Sequence, residues 1–415
     1  MHIRNLRAPL LALALSLPSA AVLMSVFPAA AEAQQAVGGW RKEVAEKAQA
    51  AQEAGKTGNY TKAIGLLKEA KAKAPLSPQE EQGVNELMIW AASGARDYGL
   101  LAATIEERLA TGRVKGSDQV AKLDTLAKTY FTQRDYRKCA DATERLIKAR
   151  GTPTADDLVM LGQSQFLMKN YAAAAGTLEK AYPAARKAGK PVKVQVQVLE
   201  TLNAAYFELK DETRRIETLH QLMLVQPKVS VFEQLVSQYE KDRLDSVAMI
   251  NLFRLGERKN VMAKDHYGKY ADAALDLASP GEALKAIEKG MSVGGIPKDD
   301  RNTRLLTDAK QQLEAMKANI GQQEREAKAI ADGDPDAKLA TTFFTIGETA
   351  KAVEAAQRAV QKGKLNREDD IQMLLGVALY DLKKTREAKA AFAAAAKANP
   401  KNANIANLWD DMIGS

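Results

Sequence analysis

The chain has 415 residues, and its 60 basic and 52 acidic side chains give a formal net charge of +8. This length is ample for a large core but too long for one compact domain, and the mild charge of mixed sign predicts no strong polyanion partner. The single cysteine, Cys139, excludes an intramolecular disulfide, so packing must hold the fold together. We expect Cys139 to be a small buried residue of a helix.

The first 33 residues have the pattern of a secretory signal peptide. Two arginines precede an apolar run at residues 8–31, and an A-x-A motif at residues 31–33 fits cleavage before Gln34. The alternative is an uncleaved anchor, because the run approaches the ~20 residues that span a bilayer. Pro18 and the alanine-rich end of the run favour cleavage.

Both interpretations place the rest of the chain outside the cytoplasm, because basic residues flanking an apolar segment stay inside. We therefore expect a periplasmic protein in the envelope of a Gram-negative bacterium. Anchoring to the inner membrane by the N-terminal segment is the alternative. Export disfavours a nucleic-acid partner.

The remaining chain is predicted to be almost entirely helical. Glycine and proline are sparse, and apolar residues recur at helical spacing nearly throughout. Only the segment VKVQVQVLETL at residues 192–202 alternates as a strand would. Because it lies within a helical pattern that continues to Leu209, we predict a helix there as well.

Several segments share one spacing of small, aromatic and proline residues. Residues 374–400 have Gly376, Ala388, Phe392, Ala395 and Pro400 at offsets 0, 12, 16, 19 and 24. The segments at residues 161–183 and 54–75 repeat these offsets where they overlap. The spacing resembles the tetratricopeptide repeat, a helix-turn-helix unit of about 34 residues.

Copies of this pattern cover nearly all of the chain after the N-terminal segment. They start near residues 44, 82, 120, 155, 196, 229, 264, 333 and 369. The interval between the copies at 264 and 333 is close to two repeats, so residues 298–332 are predicted to form a further, degenerate helical unit. The predicted organisation is therefore a signal peptide at 1–33, repeats at 34–297, the degenerate unit at 298–332, and repeats at 333–415.

The resemblance implies an all-α, right-handed α-solenoid of antiparallel helix pairs, in which stacked pairs share a continuous core. It also explains the stretch Gly55-Lys56-Thr57, which superficially resembles the end of a phosphate-binding loop. Such a loop requires a glycine at position 50, which is alanine. We expect Gly55 and Gly58 to supply the turn between two paired helices and Tyr60 to begin the second helix.

No catalytic or metal-binding motif is present. His220 and His266 fall in different repeats, and the sequence contains no H-E-x-x-H. Residues 331–338 resemble a calcium loop but lack the required glycine and glutamate, so their aspartates are predicted to cap helices around Pro335. The sequence predicts no enzyme activity, no cofactor and no metal; an enzyme with an unrecognised site is a remaining alternative.

The resemblance also implies a concave groove lined by the first helix of each repeat. The candidate groove residues, mapped from the repeat positions, are Trp90, Lys128, Phe131, Gln163, Phe166 and Phe207. An aromatic ladder flanked by a lysine would suit an extended or helical peptide segment. The alternative is that these phenylalanines pack against the next helix.

The expected function is a non-enzymatic scaffold that docks proteins or peptide segments in the envelope. The alternative is a polyanion or membrane-surface binder that uses the basic runs at residues 185–193 and 254–269 and associates peripherally with the membrane. No oligomeric state is predicted.

Overall fold

In a computed structural model that describes residues 39–413, this part of the chain consists of helices and connecting turns, with no β-strand. The prediction of an all-α chain is confirmed, including a helix in place of the alternating segment at 192–202. The chain divides into two compact units, unit 1 up to Asn170 and unit 2 from Tyr171. The predicted signal peptide lies outside the described residues.

Unit 1 contains seven helices among its described residues. They are α1 (Lys42–Lys56), α2 (Tyr60–Lys71), α3 (Pro78–Ala95), α4 (Tyr98–Ala110), α5 (Gly116–Thr132), α6 (Tyr136–Arg150) and α7 (Ala155–Leu167). Each helix packs against the next one along the chain, and the pairs α1/α2 and α5/α6 have the most extensive contacts. This is the arrangement of stacked helix pairs found in an α-solenoid.

Unit 2 contains thirteen helices in its described part. They are α8 (Tyr171–Lys187), α9 (Val192–Leu209), α10 (Glu212–Val225), α11 (Val229–Lys241), α12 (Ser246–Arg258), α13 (His266–Asp276), α14 (Pro280–Ser292), α15 (Asp300–Ala329), α16 (Asp334–Thr345), α17 (Thr349–Lys362), α18 (Glu368–Asp381), α19 (Thr385–Ala398) and α20 (Ala403–Ile413). A single hydrophobic core runs from Val196 in α9 to Met412 in α20.

The turn inside several helix pairs has the same local chemistry. A residue with left-handed backbone is followed by Asp or Asn, whose side chain accepts a hydrogen bond from a backbone N–H in the first turn of the second helix. The turns with this pattern are Gly58-Asn59, Arg96-Asp97, Arg134-Asp135 and Lys210-Asp211. The predicted turn is confirmed at Gly58, and Tyr60 is the first residue of α2. The prediction that Gly55 also lies in this turn is wrong, because Gly55 lies within α1, where the Trp90 ring packs against it.

Small residues allow the paired helices to approach each other closely. A Cβ atom on Gly376 in α18 would lie 2.6 Å from Cε1 of Phe392 in α19, and Phe392 is fully buried. Likewise, a Cβ atom on Gly55 in α1 would lie 2.1 Å from Cη2 of Trp90 in α3. Both glycines therefore make room for a bulky ring of a neighbouring helix.

Residues 298–332 form one long helix instead of a helix pair. Helix α15 has 30 residues, which corresponds to ~45 Å of helix, and only Ala309 and Ala327 are buried along it. Leu305 and Ile320 pack against the core of unit 2, while Leu313 between them is half-buried. The middle of this helix is therefore held mainly by its own backbone hydrogen bonds.

Two side chains considered for chemistry are packing residues. Cys139 is fully buried, as predicted, and burial raises the pKa of its thiol. The His220 ring lies between α10 and α11, with Nε2 at 2.8 Å from the Tyr239 hydroxyl. Burial lowers the pKa of His220 to about 4, so this imidazole is neutral at pH 7.

Substitution of Gly376 by alanine should destabilise unit 2. The added Cβ collides with a buried ring, so we expect Gly376→Ala to lower the free energy of unfolding by ~1–2 kcal/mol. Gly176→Ala is the matched control, because a Cβ there has nothing within 4 Å in a helix, and it should raise stability by ~0.5–1 kcal/mol. Urea denaturation followed by circular dichroism measures both; equal effects would contradict the close-approach argument.

The His220 ring should make unfolding depend on pH. Its pKa is about 4 in the folded chain and ~6.5 in the unfolded chain, so only the unfolded state gains a proton as the pH falls through this window. The contribution of His220 to the free energy of unfolding should therefore be constant well above pH 6.5 and should have decreased by ~2 kcal/mol at about pH 4.5. The control is His220→Gln, measured by urea denaturation at both pH values. An equal loss in both proteins would show that His220 keeps an ordinary pKa.

Candidate docking surfaces

The described residues contain no cluster suited to metal chemistry. No group of three or more His, Cys, Asp and Glu side chains between residues 39 and 413 is arranged to hold a metal ion. His266 is buried, with its ring edge-to-face against Phe232 at 5.7 Å between centroids, and burial lowers the pKa of its imidazole. In the same range, no helix combines the length and the apolar character needed to cross a membrane.

The first predicted groove residue, Trp90 in α3, packs inside unit 1. Its indole covers Gly55 of α1 and contacts the Tyr60 ring edge-to-face, with 5.7 Å between ring centroids. The side chain is half-buried and lies against the core formed by α1, α2 and α3. Trp90 therefore packs against both α1 and α2, and part of its ring remains accessible to solvent.

Two further predicted residues lie on one face of α5. Lys128 and Phe131 are three residues apart, which places both side chains on the same side of a helix. The Lys128 ammonium is 2.6 Å from the Asp124 carboxylate, and each of these side chains is about one-third exposed, at 34% and 32%. Phe131 is half-buried and packs edge-to-face on Tyr136 at 5.7 Å.

The same spacing recurs in α7 with Gln163 and Phe166. Gln163 is buried, and no hydrogen-bond partner for its side-chain N–H group lies within the described chain. Phe166 is half-buried, like Phe131 in α5. We call Asp124, Lys128 and Phe131 of α5 together with Phe166 of α7 the unit 1 face; Gln163 is buried and is not part of it.

The sixth predicted residue, Phe207, lies in α9 and belongs to unit 2. Its side chain is 43% exposed, and the Arg215 guanidinium lies 5.1 Å from the centroid of its ring. The predicted ladder is therefore divided, with Phe131 and Phe166 in unit 1 and Phe207 in unit 2.

Helix α12 of unit 2 is buried on all sides. All its residues from Val247 to Gly256 are buried except Met249, which is half-buried. A helix that is buried around most of its circumference belongs in a core, unlike a helix of an open solenoid that keeps one face in solvent. This helix was predicted only as the second member of an ordinary pair. The available signal was the apolar run VAMINLFRL, which only Asn251 and Arg254 interrupt.

A row of alternate helices contacts α12. Helices α14, α16 and α18 pack against one another in sequence, and the ring of Trp409 in α20 packs on Tyr380 of α18 at 5.8 Å between centroids. The Trp409 ring N–H donates to the backbone carbonyl of Asn251 in α12 at 2.9 Å. We call α14, α16, α18 and α20 the inner row.

Two arginines of α12 make the polar contacts with this row. Arg254 donates to both carboxylate oxygens of Glu282 in α14, at 2.8 and 2.6 Å, and lies 5.1 Å from the ring centroid of Phe344 in α16. Arg258 donates to both oxygens of Asp381 in α18, at 2.7 and 2.6 Å. Each arginine is one helical turn from the other and faces a separate carboxylate.

The Glu282 carboxylate is held ionised inside the core. Burial alone would raise its pKa, but Arg254 and hydrogen bonds from Ser279 and Tyr270 keep the pKa below its usual value. Because a buried carboxylate is costly unless it is paired, the bidentate contact with Arg254 fixes the rotation of α12 against α14.

The basic run at residues 254–269 is largely engaged in internal contacts. In addition to the two arginines, Lys259 donates to the Met412 carbonyl at 2.8 Å and Lys269 pairs with Glu240 at 2.5 Å. Lys264 of the same run is exposed, so the basic residues of the run are divided between internal contacts and the surface. In the other run, at residues 185–193, Lys187 and Lys193 are exposed.

The comparisons with known proteins agree with the repeat pattern. A tetratricopeptide repeat family model matches residues 125–189 and 337–403. No curated protein sequence matches the chain.

Solved structures similar to the chain include repeat proteins from bacteria and yeast. A tetratricopeptide repeat protein from Parabacteroides merdae is 14% identical over 82% of this chain and 100% of its own, with a TM-score of 0.32. The TPR2AB domain of yeast Sti1, solved as a pHSP90 complex, is 12% identical over 72% of this chain and 100% of its own, with a TM-score of 0.26. Naa15/Naa10 bound to HypK-THB is 16% identical over 90% of this chain and 56% of its own, with a TM-score of 0.40. The two matched segments are therefore similar to tetratricopeptide repeats, and the structure forms each of them from successive helices.

Proposed function

We propose that this protein is a non-enzymatic scaffold that docks a protein or peptide segment on the unit 1 face. The observation that carries the proposal is the half-exposed ring of Phe131 beside the Lys128–Asp124 pair on α5. Partly exposed aromatic rings are the side chains that most often anchor a partner, because a ring buries a large apolar area with few rotatable bonds. The comparable row of helices in unit 2 is already covered by α12.

The unit 1 face supports recognition of a peptide segment by two means. The rings of Phe131 and Phe166 occupy equivalent positions on alternate helices and offer apolar contacts to side chains spaced along the segment. The Lys128–Asp124 pair adds one charge of each sign, which gives orientation more than affinity.

Substitutions on the unit 1 face should abolish partner capture. We expect the triple variant Lys128→Ala, Phe131→Ala, Phe166→Ala to capture at least about 10-fold less of its partner than the wild type does. The reason is that anchoring aromatic rings contribute ~2 kcal/mol each to binding. The measurement is cross-linked affinity capture from intact cells, quantified for each captured protein.

The matched control is the triple variant Val293→Ala, Ile330→Ala, Leu382→Ala, which removes apolar side chains that are 41%, 45% and 36% exposed in unit 2. Both variants must keep wild-type helical content. A captured set that is unchanged by the unit 1 substitutions would refute the docking face. Binding that weakens steeply with salt would instead indicate a polyanion partner for the run at residues 185–193.

We also propose that the scaffold acts in the periplasm after removal of residues 1–33. The support is the sequence pattern of that segment, with its basic start, apolar run and A-x-A motif. We expect the protein recovered from a Gram-negative host to begin at Gln34 and to appear in the osmotic-shock fraction. A mature protein that retains residue 1 and pellets with membranes would favour the anchor instead.

A further inference from the structure

Helix α12 does not pack as the second helix of an ordinary repeat. In the other pairs of unit 2 the second helix lies mainly against the first, but α12 packs more extensively on α13 than on its partner α11. Its remaining neighbours are the four helices of the inner row, which come from residues 280–413. The segment at residues 246–258 thus lies against a surface formed by later parts of the chain, and its most distant contact, Asn251 with Trp409, spans 158 residues.

The contacts of α12 resemble those of a helix bound in a groove. Its apolar side chains Phe253 and Leu252 are fully buried, and its arginines Arg254 and Arg258 meet Glu282 and Asp381 on different helices of the row. A third carboxyl group, Asp370 at the start of α18, lies close enough to Arg254 to interact with its charge. The inner row therefore presents apolar surface together with acidic groups.

The ends of α12 are attached to the row by further polar contacts. Asp245, which caps the first turn of α12, accepts from Arg367 at 3.2 Å just before α18 begins. At the other end, Lys259 donates to the Met412 carbonyl of α20 at 2.8 Å. These attachments are partly exposed, and so is the Arg258–Asp381 pair, with exposed fractions of 19% and 30%. The contacts at both ends can therefore exchange with water without opening the core.

We propose that the inner row is a helix-binding groove that α12 occupies within the same chain. The partner that fits this groove is an apolar helix that carries two arginines one turn apart, which would replace α12 against Glu282 and Asp381. This surface belongs to unit 2, so the proposal goes beyond the docking function of unit 1 and does not depend on it. Helix α12 then sets the affinity threshold for such a partner, because a tethered ligand competes at high effective concentration.

A peptide with the sequence of residues 245–259 tests the proposal on the full-length protein. The fluorescent peptide should bind wild type weakly, because α12 holds the groove. Arg258→Ala in the protein weakens the internal competitor, and we expect its affinity for the peptide to be at least 10-fold higher. A peptide that itself carries Arg258→Ala should bind the Arg258→Ala protein without this gain in affinity. The wild-type peptide should also lose the gain when the protein carries Asp381→Ala in addition to Arg258→Ala.

Arg214→Ala is the matched control in the protein, since Arg214 is an exposed arginine of unit 2 that pairs with Glu179. It should leave peptide binding at the wild-type level. Binding that is equal for the peptides with and without Arg258, or no binding by a folded Arg258→Ala protein, would overturn the proposal.

Hydrogen exchange of the wild-type protein provides a test that needs no variant. If α12 is a displaceable ligand, its amides should exchange at least 10-fold faster than those of α18 while α18 and α19 remain protected. An excess of the peptide should speed exchange of the α12 amides further, because the peptide displaces α12 from the inner row, and should leave α18 and α19 protected. Equal protection of α12 and α18 at every denaturant concentration would show that α12 is an inseparable part of the core.

Discussion

Each helix pair of this chain has more apolar surface than it can bury alone, and this constraint governs the structure. The pair can only be stable when its exposed apolar side packs on the next pair, so the core runs along each unit and is not gathered at a centre. Small residues set how closely the helices approach. Gly376 accepts the ring of Phe392, and Gly55 accepts the ring of Trp90.

The two units meet this constraint in different ways. In unit 1 the core is made between neighbouring pairs, and the residues Lys128 and Phe131 of α5 stay partly accessible. In unit 2 an additional helix, α12, lies against the inner row. Its burial adds apolar contacts, but it also brings the charge of Arg254 into the core. That charge is tolerated because Glu282 binds it with two hydrogen bonds, and such a pair specifies orientation more than it adds stability.

This difference separates the functions that we propose for the two units. A partly accessible aromatic face can bind a partner directly, whereas a covered row can bind one only by competition with α12. The competition depends on contacts at the ends of α12, where Arg258 meets the partly exposed Asp381 and the half-buried Lys259 donates to the Met412 carbonyl. The same basic side chains were candidates for a polyanion surface. Arg254, Arg258 and Lys259 are engaged inside unit 2. A polyanion surface at residues 254–269 would therefore rely on Lys264 and Lys269, which are exposed.

The sequence by itself determined the helices, most of their turns and the repeat. These features depend on local chemistry: the periodicity of apolar residues, the Asp and Asn caps such as Asp135, and glycines such as Gly58 at left-handed positions. The buried environment of Cys139 could also be predicted, because a small apolar residue at a helical spacing belongs in the core. The degenerate pattern at 298–332 indicated helix, but it did not distinguish a pair from the single helix α15.

Only the tertiary structure decided which surfaces are covered. The pairing of Arg258 with Asp381 spans 123 residues, and the contact of Trp409 with Asn251 spans 158. No local pattern encodes such contacts, because the repeat pattern determines only how adjacent helix pairs pack. It does not determine which helices far apart in the sequence come into contact. The apolar sequence of α12 required that the helix be buried, but the identity of the helices that bury it depended on how all the pairs of unit 2 stack.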